Sequence, residues 1–137
     1  RLRSLSVELK IEHRVHFLPF HDNHYSLLKK AQLLVMTSES EGLGNVLIEA
    51  LILGVPVLST DCPHGPKEII HPFCPEALVA IQDIESLSKK IELFTQDPYP
   101  IPEALLSRFT HKTIIDQYCQ LMTSASLAPS SIQNDNN

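Results

Sequence analysis

An α/β fold with a parallel β-sheet is predicted by the alternation of strand-like and helix-like segments along this chain. Residues 33–36 and 55–59 are short apolar runs of strand type, and residues 45–53 between them are helix formers closed by Gly54. Strands that alternate with helices form parallel sheets, because each helix returns the chain to the same edge. A length of 137 residues suits a single domain of this kind.

The elements on the amino-terminal side follow from apolar spacing and from one capping residue. Residues 2–9 predict a helix, and residues 15–18 predict a strand. Asn23 is a suitable N-cap for a further helix over residues 25–31. Two helices with a strand between them are therefore expected to precede the glycine-closed helix and its flanking strands.

The next elements are marked by a proline and an aspartate. Pro66 suits the first position of a short helix that ends at Ile70, and residues 77–81 predict a strand. Asp83 is a suitable cap for a long helix. The apolar residues of that helix recur at helical spacing, as Ile84, Leu87, Ile91 and Phe94.

The last third of the chain divides into a linker, two helices and a tail. Three prolines make residues 97–102 a stiff linker that cannot be helical. Helices are predicted over residues 103–108 and 113–122. The second of them carries an apolar side made of Ile114, Ile115, Tyr118 and Leu121. Ser, Asn, Pro and Gln dominate residues 123–137, which predicts a disordered tail behind a domain of residues 1–122.

A glycine turn between the strand at residues 33–36 and the following helix carries two carboxylates. Glu41 precedes Gly42 and Gly44, and Glu49 follows inside the helix with seven residues between the two glutamates. Glycines allow positive φ and leave no Cβ in the way of a ligand, and the first helical amides lack intrahelical partners. Those amides favour a phosphate, whereas carboxylates accept hydrogen bonds from hydroxyls. This arrangement predicts a site for a sugar nucleotide.

Three alternatives compete with a sugar-nucleotide site at the glycine turn. A dinucleotide site needs Gly-x-Gly-x-x-Gly and an acidic residue about 20 positions later. Asp61 meets the second requirement, but Leu47 stands at the third glycine, so the match is partial. A P-loop is excluded because no Gly-Lys-Ser/Thr follows. The plainest alternative is that the turn is only a connection and that both glutamates are solvated.

A longer stretch around the turn carries a family signature, which lies in residues 41–51 and 54–63, Gly65, Pro66 and Glu68. This stretch resembles the donor-binding domain of retaining GT-B glycosyltransferases of family four, which are marked by Glu-x7-Glu. The resemblance covers residues 9–70 and extends more weakly to Met122. It implies a Rossmann-like parallel sheet with helices on both faces, the C-terminal half of a GT-B fold. Beyond Glu68 prolines replace the family's glycine-rich loop, so no residue role is carried further.

The resemblance implies a role for each residue of the turn. Glu41 would lie against the donor hexose as the catalytic carboxylate, and Glu49 would hold the ribose hydroxyls. Leu18, in the strand predicted upstream, would border the base. The hexose hydroxyls and the distal phosphate would meet the backbone amides of Gly42, Leu43, Gly44, Asn45 and Val46.

The resemblance also implies a reaction. A hexose or N-acetylhexosamine, with UDP-sugars favoured, would pass with retention to a glycan or lipid-linked acceptor in polysaccharide biosynthesis, without a cofactor or metal. The acceptor would meet a separate N-terminal lobe. The family's basic pair has no match here, because neither Arg1 nor Arg3 fits it. We therefore expect the isolated chain to be inactive. The alternative is a non-catalytic sugar-nucleotide-binding or partner-docking module of a split or truncated enzyme.

Composition argues against nucleic-acid binding and against a membrane span. The net charge is −5, with 43% apolar and 20% charged residues, as in ordinary globular domains. The longest apolar stretch, residues 46–58, is interrupted by Glu49, Gly54 and Pro56 and is too short to cross a bilayer. We expect a cytoplasmic protein, with peripheral association of the full enzyme at the inner face of the membrane left open.

Cysteine and histidine spacings favour no metal site. Cys62, Cys74 and Cys119 lack the paired spacing of a zinc site or a redox dithiol, so we expect reduced thiols. The histidine pairs at 13/16 and 21/24 could be drawn as a metal cluster. However, alternate residues of a strand face opposite ways, so no metal ligand is predicted among them.

Overall fold

The computed structural model describes the backbone of residues 1–126 and the side chains of residues 1–123. Seven α-helices and three strands are formed in this part of the chain. In chain order they are α1 Leu2–Glu8, α2 Tyr25–Leu28, β1 Leu34–Met36, α3 Asn45–Ile52, β2 Val57–Thr60, α4 Pro66–Ile70, β3 Leu78–Val79, α5 Ile84–Gln96, α6 Glu103–Ser107 and α7 His111–Ser126.

The three strands form one parallel sheet in the order β1-β2-β3. Leu34 pairs with Val57 at one end of the first ladder, and Ser59 pairs with Leu78 at the start of the second. The prediction of an α/β fold with a parallel sheet is confirmed. Because parallel strands end at the same edge, the residues that follow them converge there.

The core lies around β2, where all four residues are buried. Side chains of a strand point alternately to opposite faces, so both faces of the sheet are covered at its centre. This agrees with helices on both faces, as predicted. Buried side chains from the helices complete the core, among them Leu47, Leu51, Ile69, Phe94 and Leu105.

Helix starts were predicted well because they depend on local chemistry. Helix α3 begins at Asn45 and α4 begins at Pro66, both as expected. Asp83 caps α5, since its side chain accepts a hydrogen bond from the backbone N–H of Ser86 at 3.0 Å. One detail was wrong: Ile84, expected on the apolar stripe of α5, is 77% exposed. It lies in the first turn of the helix, before the part of α5 that packs on the core.

The predicted strand at residues 15–18 is not formed. Val15 has extended backbone angles, φ −110° and ψ 116°, but no described segment pairs with it in a ladder. An extended segment becomes a strand only when a neighbour takes up its backbone hydrogen bonds. The strand expected over residues 77–81 is likewise reduced to β3, because Ala77 ends a short 3-10 turn.

Two helix lengths also differ from expectation. Helix α2 ends at Leu28 rather than at Ala31. Helix α7 begins before Thr113 and continues to Ser126, past the predicted end at Met122, so the first residues of the expected tail are helical. The rest of that predicted tail, residues 127–137, lies outside the described residues. The predicted apolar side of α7 is exposed.

Candidate functional site

The glycine turn lies at the edge of the sheet where the strands end. It follows β1 and leads into α3, and the loop after β2 lies beside it. A cavity of about 240 Å³ opens at the same edge, lined by residues that include Thr37, Glu39, Thr60 and Gln82. In open α/β sheets ligands bind outside the carboxyl ends of the strands, so a ligand site is expected at this edge.

Two glycines shape the turn in different ways: Gly44 provides a positive φ, and Gly42 leaves the backbone open. Gly44 has φ +73° and ψ +47°, a left-handed conformation that glycine adopts without strain, and it is the N-cap of α3. A Cβ on Gly44 would meet Leu47 Cδ1 at 3.2 Å. A Cβ on Gly42 would meet nothing within 4 Å, so the turn presents an open backbone face there.

The loop after β2 supports the turn directly. Gly65 has φ +58°, and a Cβ added to it would lie 2.7 Å from the carbonyl oxygen of Leu43 and 3.0 Å from that of Gly42. The two loops therefore touch backbone to backbone. In the sequence Gly65 is only one residue of a signature, and its task of holding the glycine turn is visible only in the structure.

The amino end of α3 offers free donors. No side chain of the described residues caps this end, and both Asn45 and Val46 are exposed. The first amides of a helix have no intrahelical acceptor, and the helix dipole adds about half a positive charge behind them. A helix of eight residues with an exposed end after a glycine turn is able to hold a phosphate or another anion.

Glu41 is held in place by a chain of hydroxyl groups. Ser38 Oγ donates to Glu41 Oε1 at 2.5 Å, and Thr60 Oγ1 donates to the backbone oxygen of Ser38 at 2.5 Å. The end of β2 thus fixes the loop after β1, and that loop fixes the carboxylate. Neither Ser38 nor Thr60 was predicted from the sequence. The Ser-x-x-Glu spacing from Ser38 to Glu41 was the available signal, because it brings a hydroxyl and a carboxylate within reach in a turn.

Glu49 lies on α3 and is approached by two donors from the start of α2. His24 Nε2 is 3.1 Å from Glu49 Oε2, and Tyr25 Oη donates to Glu49 Oε1 at 3.4 Å. The glutamate side chain keeps 29% of its surface exposed. Neither contact was predicted, since 25 and 24 positions separate the donors from Glu49 and no local spacing signals such a contact.

The remaining predicted residues lie as follows. Leu43 is exposed on the turn, with its carbonyl against the Gly65 loop. Leu18 is 63% exposed on the unpaired segment after Val15, so its place beside a base stays a prediction. The histidines drawn as a cluster are not gathered, and the described residues contain no group of three or more metal-ligating side chains.

An ion pair lies beside the glycine turn, and the three cysteines are not part of the turn. Lys67 Nζ, at the start of α4, lies 3.5 Å from Asp61 Oδ2, so a cation pairs with the loop that follows β2. Cys62 and Cys74 are buried, Cys119 is exposed, and none of the three is in a disulfide. Burial, reinforced by Glu76, raises the pKa of the Cys74 thiol to about 12, so this thiol is protonated at neutral pH and is not a nucleophile.

Comparison with known proteins identifies a family pattern along most of the chain. The profile described as "Glycosyl transferases group 1" matches residues 1–112. An uncharacterised glycosyltransferase of Methanocaldococcus jannaschii is 42% identical over 76 residues, which are 56% of this chain and 18% of that protein. The lipopolysaccharide core biosynthesis glycosyltransferase LpsE of Rhizobium meliloti is 31% identical over 130 residues, covering 90% of this chain and 38% of that protein.

A solved structure shows the same fold. The apo form of the lipopolysaccharide outer core galactosyltransferase WaaB superposes with a TM-score of 0.76 and 21% identity, over 90% of this chain and 37% of that one. The matching parts of the chain thus cover between 18% and 38% of the length of these proteins. Among the helices of the described residues, none has the length and apolar character needed to cross a membrane.

Proposed function

Because the chain belongs to the glycosyl transferases group 1 family, we propose that its glycine turn and helix α3 bind a nucleoside-diphosphate sugar for transfer with retention. The observation that carries this proposal is the exposed amino end of α3 behind the left-handed Gly44, with a held carboxylate on each side. Such an end attracts phosphate, and the carboxylates suit the hydroxyls of a sugar and a ribose. The Glu-x7-Glu signature is the pair Glu41 and Glu49.

The diphosphate would lie over the turn. Gly42 leaves open space where a side chain would block approach, and the amides of Asn45 and Val46 are available as donors. As the sugar–phosphate bond breaks, negative charge grows on the leaving phosphate, and fixed amides stabilise that charge without reorganising. We therefore propose that transfer uses neither a bound metal nor a cofactor.

Glu41 and Glu49 would serve the two ends of the donor. Glu49, one turn inside α3, would accept the ribose hydroxyls. Glu41 would lie against the hexose, and its ionised form would favour the positive charge that develops on the sugar in the transition state. The hydrogen bond from Ser38 supports this role, because a carboxylate fixed before reaction stabilises charge better than a mobile one.

The names of the relatives support a substrate class. One relative is named for lipopolysaccharide core biosynthesis, and the similar structure is a lipopolysaccharide outer core galactosyltransferase. We propose for this chain a UDP-hexose or UDP-N-acetylhexosamine donor and a glycan or lipid-linked acceptor in polysaccharide synthesis. The site of action would be the cytoplasm, at the inner face of the membrane when the acceptor is lipid-linked.

The residues described here would not complete the reaction alone. The chain spans less than two fifths of its relatives, and the acceptor site would come from a second lobe. Transfer requires both reactants to be held together, so the 137-residue chain is expected to bind donor without turning it over. The exposed apolar side of α7 favours the related alternative, a sugar-nucleotide-binding module that docks on another chain.

Calorimetric titration of the 137-residue chain with UDP tests the proposal. We expect binding, and we expect Glu49→Gln to weaken it by about 1 to 3 kcal/mol, the range for hydrogen bonds to a charged group. Glu92→Gln, an exposed change on α5, is the matched control and should leave the affinity unchanged. Absence of binding to UDP, GDP and ADP at millimolar concentration would overturn the proposal.

A second titration separates the two glutamates. Glu41→Gln should weaken binding of UDP-galactose or UDP-N-acetylglucosamine while leaving the affinity for UDP unchanged, because Glu41 is assigned to the hexose alone. Equal losses for UDP and for the UDP-sugars would show that Glu41 supports the loop rather than the sugar.

A further inference from the structure

Two donors from one turn converge on the Glu49 carboxylate. His24 Nε2 lies 3.1 Å from one carboxylate oxygen, and Tyr25 Oη donates to the other at 3.4 Å. Each oxygen therefore has its own donor. An ionised carboxylate only accepts hydrogen bonds, so His24 donates through Nε2–H. The contact joins α2 to α3 across the chain and fixes the plane of the carboxylate.

The contact leaves room for a ligand. A carboxylate has about four acceptor positions, and two of them are used by His24 and Tyr25. Two positions stay open, one on each oxygen, and the Glu49 side chain is 29% exposed. A ribose presents two adjacent hydroxyls. The two free acceptor positions therefore equal in number the two hydroxyls of a ribose.

The donors are themselves held. The rings of His24 and Tyr25 pack with their centroids 4.2 Å apart. The start of α2 is closed by Asn23, whose Oδ1 accepts from the Ser26 N–H at 3.3 Å and whose carbonyl accepts from Ser26 Oγ at 2.9 Å. Leu28, at the end of α2, is buried in the core. A supporting group orients a ligand-binding group only when it is itself fixed.

We propose that His24 and Tyr25 are positioning residues that hold the Glu49 carboxylate in the plane that receives the ribose hydroxyls of the donor nucleotide. This inference rests on the proposed function. Stabilisation of the fold does not account for the arrangement, because exposed pairs contribute about 0 to 1 kcal/mol, and the His24 side chain is 47% exposed. The two contacts should instead raise the affinity for a nucleotide with a ribose and increase its preference over the deoxyribose analogue.

The test compares UDP with 2′-deoxy-UDP by calorimetry, using the full chain. Tyr25→Phe removes one hydroxyl and keeps the ring, and His24→Ala removes the other donor. Each change should weaken UDP binding about fivefold and 2′-deoxy-UDP binding less, so that the ratio of the two affinities falls. His24→Gln retains an N–H donor and should restore part of that ratio.

Matched controls use the same substitutions away from the site. Tyr118→Phe on α7 and His13→Ala in the turn Glu12–Arg14 change exposed residues and should leave both affinities unaltered. Urea unfolding of every variant shows whether the fold is intact. A variant that loses UDP and 2′-deoxy-UDP affinity equally has lost a structural support, and this result would overturn the positioning role.

Glu49→Gln separates this inference from the proposed function. If it reduces the ratio of affinities while Tyr25→Phe and His24→Ala do not, Glu49 binds the ribose unaided and only the positioning role fails. If Glu49→Gln has no effect, or the unaltered chain binds none of UDP, GDP and ADP, the ribose assignment fails and the positioning role fails with it. A reduced ratio in all three variants, with both controls unchanged, supports the inference.

Discussion

Helix α3 and helix α1 carry similar apolar patterns but differ in what covers them. Leu51 of α3 is 1% exposed, whereas Leu2 of α1 is 67% exposed. Helix α3 packs on β1, β2 and α4, and its apolar residues join the core. The leucines of α1 line an open apolar groove together with Phe17. An amphipathic pattern therefore predicts a helix reliably but predicts burial only where a second element is present.

The strand-like segments beside these helices differ in the same way. Residues 15–18 and residues 34–36 are both mainly apolar, yet only the second set lies in the sheet. Val35 pairs with Leu58, while Val15 has no partner strand among the described residues. The site-bearing part of the chain is therefore stabilised by its own core, to which residues 1–18 contribute little.

Leucine truncation should reveal the contrast between the two helices most clearly. Leu51→Ala should lower the free energy of unfolding by about 2 to 5 kcal/mol, because it leaves a cavity in a packed core. Leu2→Ala should change it by less than about 0.5 kcal/mol, as is usual for exposed positions. Urea denaturation followed by circular dichroism measures both. Similar losses in the two variants would mean that α1 is covered in solution.

Glycine substitutions test the contact between the two loops of the site. Gly65→Ala should cost about 3 kcal/mol, since its Cβ would stand 2.7 Å from the Leu43 oxygen in a left-handed backbone. Gly54→Ala is the matched control, because φ there is +78° but a Cβ would meet nothing within 4 Å. Its cost should be about 1 kcal/mol. Equal costs would show that the two loops do not touch.

Removal of the Tyr99 hydroxyl, in the proline linker, should have the next largest effect on stability. Tyr99 Oη accepts from the Val57 N–H at 3.0 Å and donates to the Val57 carbonyl at 2.8 Å. Tyr99→Phe removes the partner of the Val57 N–H and of the Val57 carbonyl. It should lower the free energy of unfolding by about 2 kcal/mol at pH 7. Tyr118→Phe, on the exposed side of α7, should have no effect.

The same variant should show a defined pH dependence. Burial raises the pKa of Tyr99 from 10.0 to about 12. The neutral hydroxyl is favoured in the folded state, so its contribution is complete below pH 10 and is lost as the pH rises through about 12. The difference in stability between the unaltered chain and Tyr99→Phe should therefore narrow over that interval. A constant difference would contradict the burial of the hydroxyl.

Thiol labelling needs no substitution and compares the exposed helix α7 with the buried core. Cys119 on α7 is exposed and should react with iodoacetamide within minutes at neutral pH, while Cys62 and Cys74 should react only as fast as the core opens. The raised pKa of Cys74 slows it further, because the thiolate is the nucleophile. Mass spectrometry of tryptic peptides reads out each site. Rapid labelling of all three cysteines would mean that the core is open.

Residue chemistry alone specified the local features of the fold and most of the candidate site. Gly44 set the turn before α3, Pro66 set the start of α4, and Asp83 set the start of α5. Each of these features depends on a backbone torsion or on a hydrogen bond between residues a few positions apart. Residue type and short spacing in the sequence are enough to predict such local features. For the same reason Glu41 and Glu49 were predicted as a candidate pair from their spacing about a glycine turn, and their binding roles stay predictions.

Contacts between residues distant in the chain settled the rest. Val15 is extended but unpaired, because a strand needs the hydrogen bonds of a neighbour. Gly65 supports the turn, and His24 with Tyr25 reaches Glu49, through contacts that only folding brings together. Local pattern specifies which torsions and faces a segment favours, and only packing specifies which partner it meets.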